Sequence, residues 1–237
     1  MNTMLVDWSA IRRCAHMLRR GVSRSPKRWG KPPIAQVFVP QSHQPGEEAE
    51  VDFAELYVDL PQGRTKCYMF TLRLCFSGKS VHRVFATQSQ EAFLEGHIEA
   101  FNALGGVPVR HVKYDNLKSA VTRVLFGQRD RVENERWILF RSHYSFEAFY
   151  CLPGIEGAHE KGGVEGEGGR FRRNRLVPVP KVVSLAELNA KLAAIDEADD
   201  QRRVNGRLTT IGQDFIIEPG TDSYRLAHTK NRQAAAS

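Results

Sequence analysis

Apolar and polar positions alternate from Glu50 to Leu60, with Val51, Phe53, Leu56, Val58 and Leu60 on the apolar beat. Alternation at period two predicts a half-buried strand. Pro61-Gln62-Gly63 reads as a turn, Lys66 to Phe76 as a second strand, Ser77-Gly78 as a tight turn and Lys79 to Thr87 as a third strand, which makes an antiparallel meander. The period then changes. Phe93, His97, Ala100 and Leu104 recur at helical spacing behind a capping Ser89, and Gly105-Gly106 stops the helix. Val109 to Tyr114 reads as a short strand ending at Asp115, and Asn116 to Asp130 as a mostly polar connection. A helix over Val132 to Arg141, an aromatic strand over Tyr144 to Leu152 and a helix from about His159 to Arg173 follow. Ser184-Leu-Ala-Glu187 is a capping box opening a longer helix with Leu185, Leu188, Leu192 and Ile195 as its stripe. Beyond Asn205 the pattern suggests two weak strand-like stretches and a polar tail.

The flanks differ from this body. Leu5, Trp8, Ile11, Ala15 and Leu18 predict one short helix, and Gly21 to Pro33 reads as a linker. The expected division is an arm over 1–45, a core over 46–182 and a C-terminal helix and tail over 183–237. Within the core, the order β-β-β-α-β-α-β-α predicts an α/β fold: a ribonuclease-H-like mixed sheet with flanking helices.

Charge separates the parts further. The 237-residue chain carries a net charge of +7. Residues 1–40 hold eight basic side chains, among them Arg19, Arg20, Lys27 and Arg28, against Asp7 alone, so the remainder is neutral. A basic arm meets polyanions, because neutralising phosphates releases counterions; the alternative is a solvated tail with no partner. No apolar run approaches the ~20 residues of a membrane helix, and the N-terminus lacks a signal-peptide pattern, so cytoplasmic residence is expected. The four cysteines, Cys14, Cys67, Cys75 and Cys151, show no zinc-type spacing and read as packed thiols.

Three acids stand at chemically informative places: Asp52 on the first strand, Asp115 at the end of the fourth, and Glu165 on the glycine-rich helix after the fifth. Carboxylates converging from separate elements suit two Mg²⁺ or Mn²⁺ ions, which activate an attacking oxygen and stabilise a leaving one in phosphoryl transfer. Asp52 would bridge both ions, with Asp115 and Glu165 holding one each. Glu156, Glu160 and Glu167 compete for the third place, and register favours Glu165. The glycines at 162, 163, 166, 168 and 169 weaken the helix by roughly 1 kcal/mol each, while small residues there would let a DNA backbone approach. Arg170, Arg172, Arg173 and Arg175, with Phe171 among them, form a candidate phosphate-binding patch. Lys118 is a further candidate, whereas His143 and Tyr144 read as core or supporting residues.

The stretches Ala35-Gln-Val-Phe-Val-Pro40, Pro45-Gly-Glu-Glu-Ala-Glu-Val-Asp-Phe53, Tyr114-Asp-Asn-Leu-Lys118, Arg141-Ser-His-Tyr144 and Gly154-Ile-Glu-Gly-Ala-His-Glu-Lys-Gly-Gly-Val-Glu165 resemble the catalytic part of IstA-type insertion-sequence transposases. These are DDE enzymes related in fold to retroviral integrases. The resemblance implies metal-dependent cleavage at transposon ends and joining of the 3′-hydroxyls to target DNA in the bacterial cytoplasm. It also implies an AAA+ ATPase helper, a homo-oligomer on DNA, and Asp52, Asp115 and Glu165 as the triad. The chain departs from the family pattern in the length of its N-terminal region, in a C-terminal domain read as cut short, and in Ala54, where glycine is common. A truncated, catalytically silent remnant that binds DNA or oligomerises, and a nuclease of the same fold that cuts without joining, are the alternative readings.

Overall fold

The computed structural model describes residues 43–114, 121–124, 131–151, 162–204 and 206–218. The expected arm helix and linker lie outside the described residues, as do Asp115, Lys118, Glu156, Glu160 and the four arm residues Arg19, Arg20, Lys27 and Arg28.

The longest strand organises the sheet. β1 (Glu48–Leu60) pairs antiparallel with β2 (Gly63–Leu74), which pairs antiparallel with β3 (Ser80–Phe85). After α1 (Gln90–Leu104) the chain returns as β4 (His111–Tyr114), parallel to β1. A small ladder of β5 (Val121–Val124) and β6 (Arg131–Glu133) precedes α2 (Glu135–Tyr144). β7 (Glu147–Tyr150) then adds parallel to β4, giving the order β3-β2-β1-β4-β7. α3 (Gly162–Arg175), α4 (Leu185–Ala198), a 3₁₀ turn (Asp199–Gln201) and α5 (Ile211–Ile216) complete the described chain. This is the expected mixed sheet with flanking helices.

Alternation along β1 sorts the two faces. Ala49, Val51 and Phe53 enter one core with Phe70, Leu72, Phe93, Phe101 and Trp137. Each large side chain buried there contributes about 1.5–3 kcal/mol. Leu56 and Val58 enter a second core with Met69, Phe171, Leu188 and Leu192. The α1 stripe is as patterned: Phe93, His97, Ala100 and Leu104 are all buried. Ser89 Oγ accepts the Ala92 N–H, and Gly105 closes the helix at φ 77°. Gly96 is there for closeness of approach, since a Cβ at that position would stand 2.6 Å from the Phe70 ring.

Four expectations are corrected. The Asn116–Asp130 connection contains a strand, with Val124 pairing Arg131 across to β6. The helix expected from Val132 starts at Glu135, because Asn134 accepts the Arg136 N–H at 2.9 Å and caps it there. At the start of α4, Ser184 accepts the Glu187 N–H, but the Glu187 carboxylate reaches back to the Val183 N–H, one residue beyond the cap. The strand-like tail after Asn205 is in part α5. Its β-branched residues suggest a strand, yet Thr210 and Gln213 form a reciprocal capping box that starts a helix, and Ile211 is buried.

Candidate active site

The face of β1 that looks toward α3 changes character along its length. Glu48, Glu50 and Asp52 occupy its first half, and Leu56 and Val58 its second. Residues two apart on a strand share a face, so three carboxylates stand in a row. Asp52 pairs with Thr71 of β2, while Val51 beside it pairs with Tyr114, the last residue of β4. Asp115 follows Tyr114 directly in sequence.

α3 is seated on this row. The Val164 N–H donates to Glu50 Oε2 at 2.7 Å, and Arg172 Nη1 donates to the Glu55 carbonyl at 3.2 Å. Between those two anchors a Cβ at Gly168 would lie 3.8 Å from Asp52 Oδ2, in ordinary contact. At Gly163 there is no such room: a Cβ would collide with the Arg73 guanidinium and stand 2.7 Å from Glu50 Oε2. The glycines expected to admit DNA thus also let the helix approach its own sheet. Glu165 lies on α3 one turn before Gly168, on neighbouring positions of the helix surface; its side chain is outside the described set.

Glu48 and Glu50 were not singled out in the sequence, although Glu-x-Glu-x-Asp on an alternating strand is the signal that would have found them. Glu50 is buried. Glu48 gathers Lys113 Nζ at 2.8 Å, His43 Nδ1 at 2.8 Å and His111 Nε2 at 3.2 Å. Burial pushes the Glu48 carboxyl up, but the bonds to Lys113 and His43 hold it below its ordinary value overall. Burial would lower Lys113, and its bond to Glu48 lifts it above the ordinary ammonium range instead. Burial pushes the neighbouring Cys75 thiol up.

The basic residues of α3 divide. Arg170 binds Glu167 and, at 2.7 Å, Asp199, while Arg202 joins the same two carboxylates at 3.0 and 2.7 Å. Glu167 is therefore a buried structural acid tying α3 to the end of α4. Burial acts to lower the Arg170 guanidinium, and the Glu167 bond raises it above its ordinary value. Arg172 bonds backbone carbonyls, Arg173 is exposed, and Arg175 lies 3.7 Å from Asp199 with its side chain 43% exposed. Phe171 belongs to the core, stacked on His82 with centroids 3.7 Å apart. His82 in turn donates Nδ1–H and its backbone N–H to the two oxygens of Asp196. His143 is exposed, and Tyr144 packs against Phe101 and Phe140.

No protein-family model matches the chain. Curated relatives do: it is 34% identical over 152 residues to a transposase of Aminobacter aminovorans, covering 64% of this chain and 29% of that protein. It is 33% identical over 155 residues to the transposase for insertion sequences IS1326/IS1353 of Pseudomonas aeruginosa, covering 65% of this chain and 30% of that protein. Over this stretch the chain is similar to insertion-sequence transposases. The match spans less than a third of each curated protein's length. Its fold is that of retroviral integrase catalytic cores. The HTLV-2 integrase catalytic core domain, solved in complex with magnesium in a trimeric form, matches 74% of this chain and 99% of that chain with a TM-score of 0.50 and 15% identity. A simian T-cell lymphotropic virus intasome chain covers 75% of it with a TM-score of 0.52 and 12% identity. No helix among the described residues is long and apolar enough to cross a membrane.

Proposed function

We propose that this chain carries the strand-cleaving and strand-joining centre of a DNA transposase, with Asp52, Asp115 and Glu165 as its carboxylates. The observation that carries the reading is the seating of α3 on β1, with Gly168 against the Asp52 carboxylate and Glu165 one turn away on the same helix. Tyr114, pairing beside Asp52's neighbour, supports Asp115 as the second member. The donor set fits a hard divalent cation. Asp52 is part-exposed and offers carboxylate oxygen, and the facing helix position, Gly168, brings no side chain of its own toward it. Magnesium or manganese, two ions in the full site, supplies activation of the attacking oxygen and stabilisation of the leaving one.

The protein's own contribution is position. The Glu50 bond to Val164 and the Arg172 bond to Glu55 fix α3 along β1 at both ends of the site. The Glu167–Arg170–Asp199–Arg202 network fixes it against α4. Arg173 and Arg175 are the residues of α3 best placed to meet DNA phosphates, with Arg172 and Arg170 held to the body. Lys118 and the arm residues add further phosphate contacts, and a homo-oligomer on DNA with an ATPase helper completes the reading.

An oligonucleotide strand-transfer assay in Mg²⁺ or Mn²⁺ tests it. Joined product that falls at least about a hundredfold in Asp52→Asn is expected, as for loss of a group acting mainly in the transition state. Binding without any chemistry would sink the catalytic reading and favour a silent remnant, and nicking without joining would favour a nuclease.

A further inference from the structure

Four residues up β1 from Asp52, about 13 Å along the strand, a second group of ligand-type side chains converges. His43 Nδ1, a Glu48 carboxylate oxygen and Cys75 Sγ all lie within 4.8 Å of one another. They come from three places in the chain: the connection before β1, the first residue of β1, and the residue just after β2. Their sequence spacing carries no metal signature, so only the fold brings them together.

We propose that His43, Glu48 and Cys75 form a binding site for one transition-metal ion of the zinc class, separate from the Asp52 centre. The donor set is one imidazole, one carboxylate and one thiolate, which suits a borderline-soft ion and does not suit magnesium. The backbone is already set for it. Cys75 N–H donates to the Glu48 carbonyl at 2.9 Å, locking two ligand positions in register. His43 Nδ1 stands 2.8 Å from Glu48 Oε2, whereas two ligands of one tetrahedral zinc stand about 3.3 Å apart for bonds of 2.0–2.2 Å. The pair therefore needs to part by roughly half an ångström. Cys75 forms the floor at 2% exposure, and the His43 and Glu48 side chains, 16% and 12% exposed, are part-buried above it. His111 Nε2, 3.2 Å from the other Glu48 oxygen, orients the carboxylate from β4.

Lys113 is the competitor. Its ammonium sits 2.8 Å from the same Glu48 oxygen that His43 meets, and supplies there the positive charge a metal would bring. Binding moves that ammonium off Glu48. It also releases the Cys75 thiol proton to solvent, while His43 binds as the neutral ring through Nδ1 with its single proton on Nε2. The bound ion would tie the segment entering β1 to the exit of β2, and so stabilise the fold by linkage.

Cobalt titration of the chelator-stripped full chain tests the site. One equivalent of Co²⁺ should give near-ultraviolet thiolate-to-metal absorption and tetrahedral visible bands, and Zn²⁺ should displace it and raise Tm. Cys75→Ser should remove the thiolate absorption while Cys67→Ser keeps it. His43→Ala should weaken binding by about tenfold or more, and carries the test should Cys75→Ser fail to fold. Lys113→Gln should tighten binding, a sign opposite to that of a cluster held together by its ion pairs alone. Thiolate absorption that is absent in the parent chain, survives Cys75→Ser, or weakens in Lys113→Gln overturns the proposal.

Discussion

His97 is the residue whose surroundings dictate most. It lies fully inside the aromatic cluster of Phe93, Phe101, Tyr114 and Trp137. Its Nδ1–H donates to the Phe93 carbonyl at 2.8 Å, and the Tyr114 hydroxyl donates to Nε2 at 2.8 Å. Both nitrogens are satisfied by the neutral ring, and burial pushes its pKa down to about 3. The unfolded chain takes up this proton near 6.5, so below that pH protonation favours unfolding. The stability is complete above about 6.5 and is lost as pH falls toward 3, at up to ~1.4 kcal/mol per unit. The lowered His111 adds in the same direction, whereas Glu48, also lowered, contributes only below its own unfolded value near 4.5. Between pH 7 and 5, urea unfolding of the parent chain should therefore lose up to about 2 kcal/mol more than that of His97→Gln. Parallel losses in the two would remove His97 from the account. The apolar stripe marked His97 as buried in the sequence, and its neutral state follows from that burial; its Nε2 partner, Tyr114 at the end of β4, is one that no local pattern carries.

α3 poses the same question for an element. Its glycines suggest a weak helix when counted in sequence, and in the fold they do different work. Gly166 is exposed with nothing within 4 Å of an added Cβ, so Gly166→Ala should stabilise by about 0.5–1 kcal/mol through helix propensity alone. Gly163 faces Arg73 and the Glu50 oxygen that accepts the Val164 N–H. Gly163→Ala should instead cost about 1–3 kcal/mol, because that buried bond must shift or break. Thermal or urea unfolding of the two variants decides it, and equal effects would show that α3 is not seated as described. Elements with a strong period were legible: β1 to β3 by alternation, α1 by its stripe, cap and Gly105 stop, and the sheet plan by their order. The β5–β6 ladder escaped because Val121–Val124 and Arg131–Glu133 are too short and polar to set a period. α5 escaped because its identity rests on the Thr210–Gln213 box, against β-branched residues that favour a strand. The place of Asp52 on β1 was legible from the alternation. The partnership of Glu50 with α3, and the consumption of Arg170 by Glu167 and Asp199, depend on long-range packing and were not.

Over the whole molecule, the division of charge decides how the DNA affinity that the proposed function requires should depend on salt. In the described body many cations are already matched: Lys79 with Asp200, Lys113 with Glu48, Arg170 and Arg202 with Glu167 and Asp199, and Arg207 with Asp214. A cation already paired with a carboxylate has little left to offer a phosphate, so such a body releases few counterions. Residues 1–40 hold eight basic side chains against a single acid. Each phosphate neutralised on duplex DNA steepens the fall of log K with log salt by about 0.9. If the arm is the main electrostatic contact, removing residues 1–40 should lower that slope by several units, up to about 7. Affinity should drop most at low salt and converge with that of the parent chain as salt rises. Arg173→Ala and Arg175→Ala, beside the site, should each remove only about one unit. Filter binding or fluorescence anisotropy across a salt series measures both. An unchanged slope after deletion would move the phosphate contacts onto the body, where Arg173, Arg175 and Lys118 would have to supply them, and the arm would then be a solvated tail.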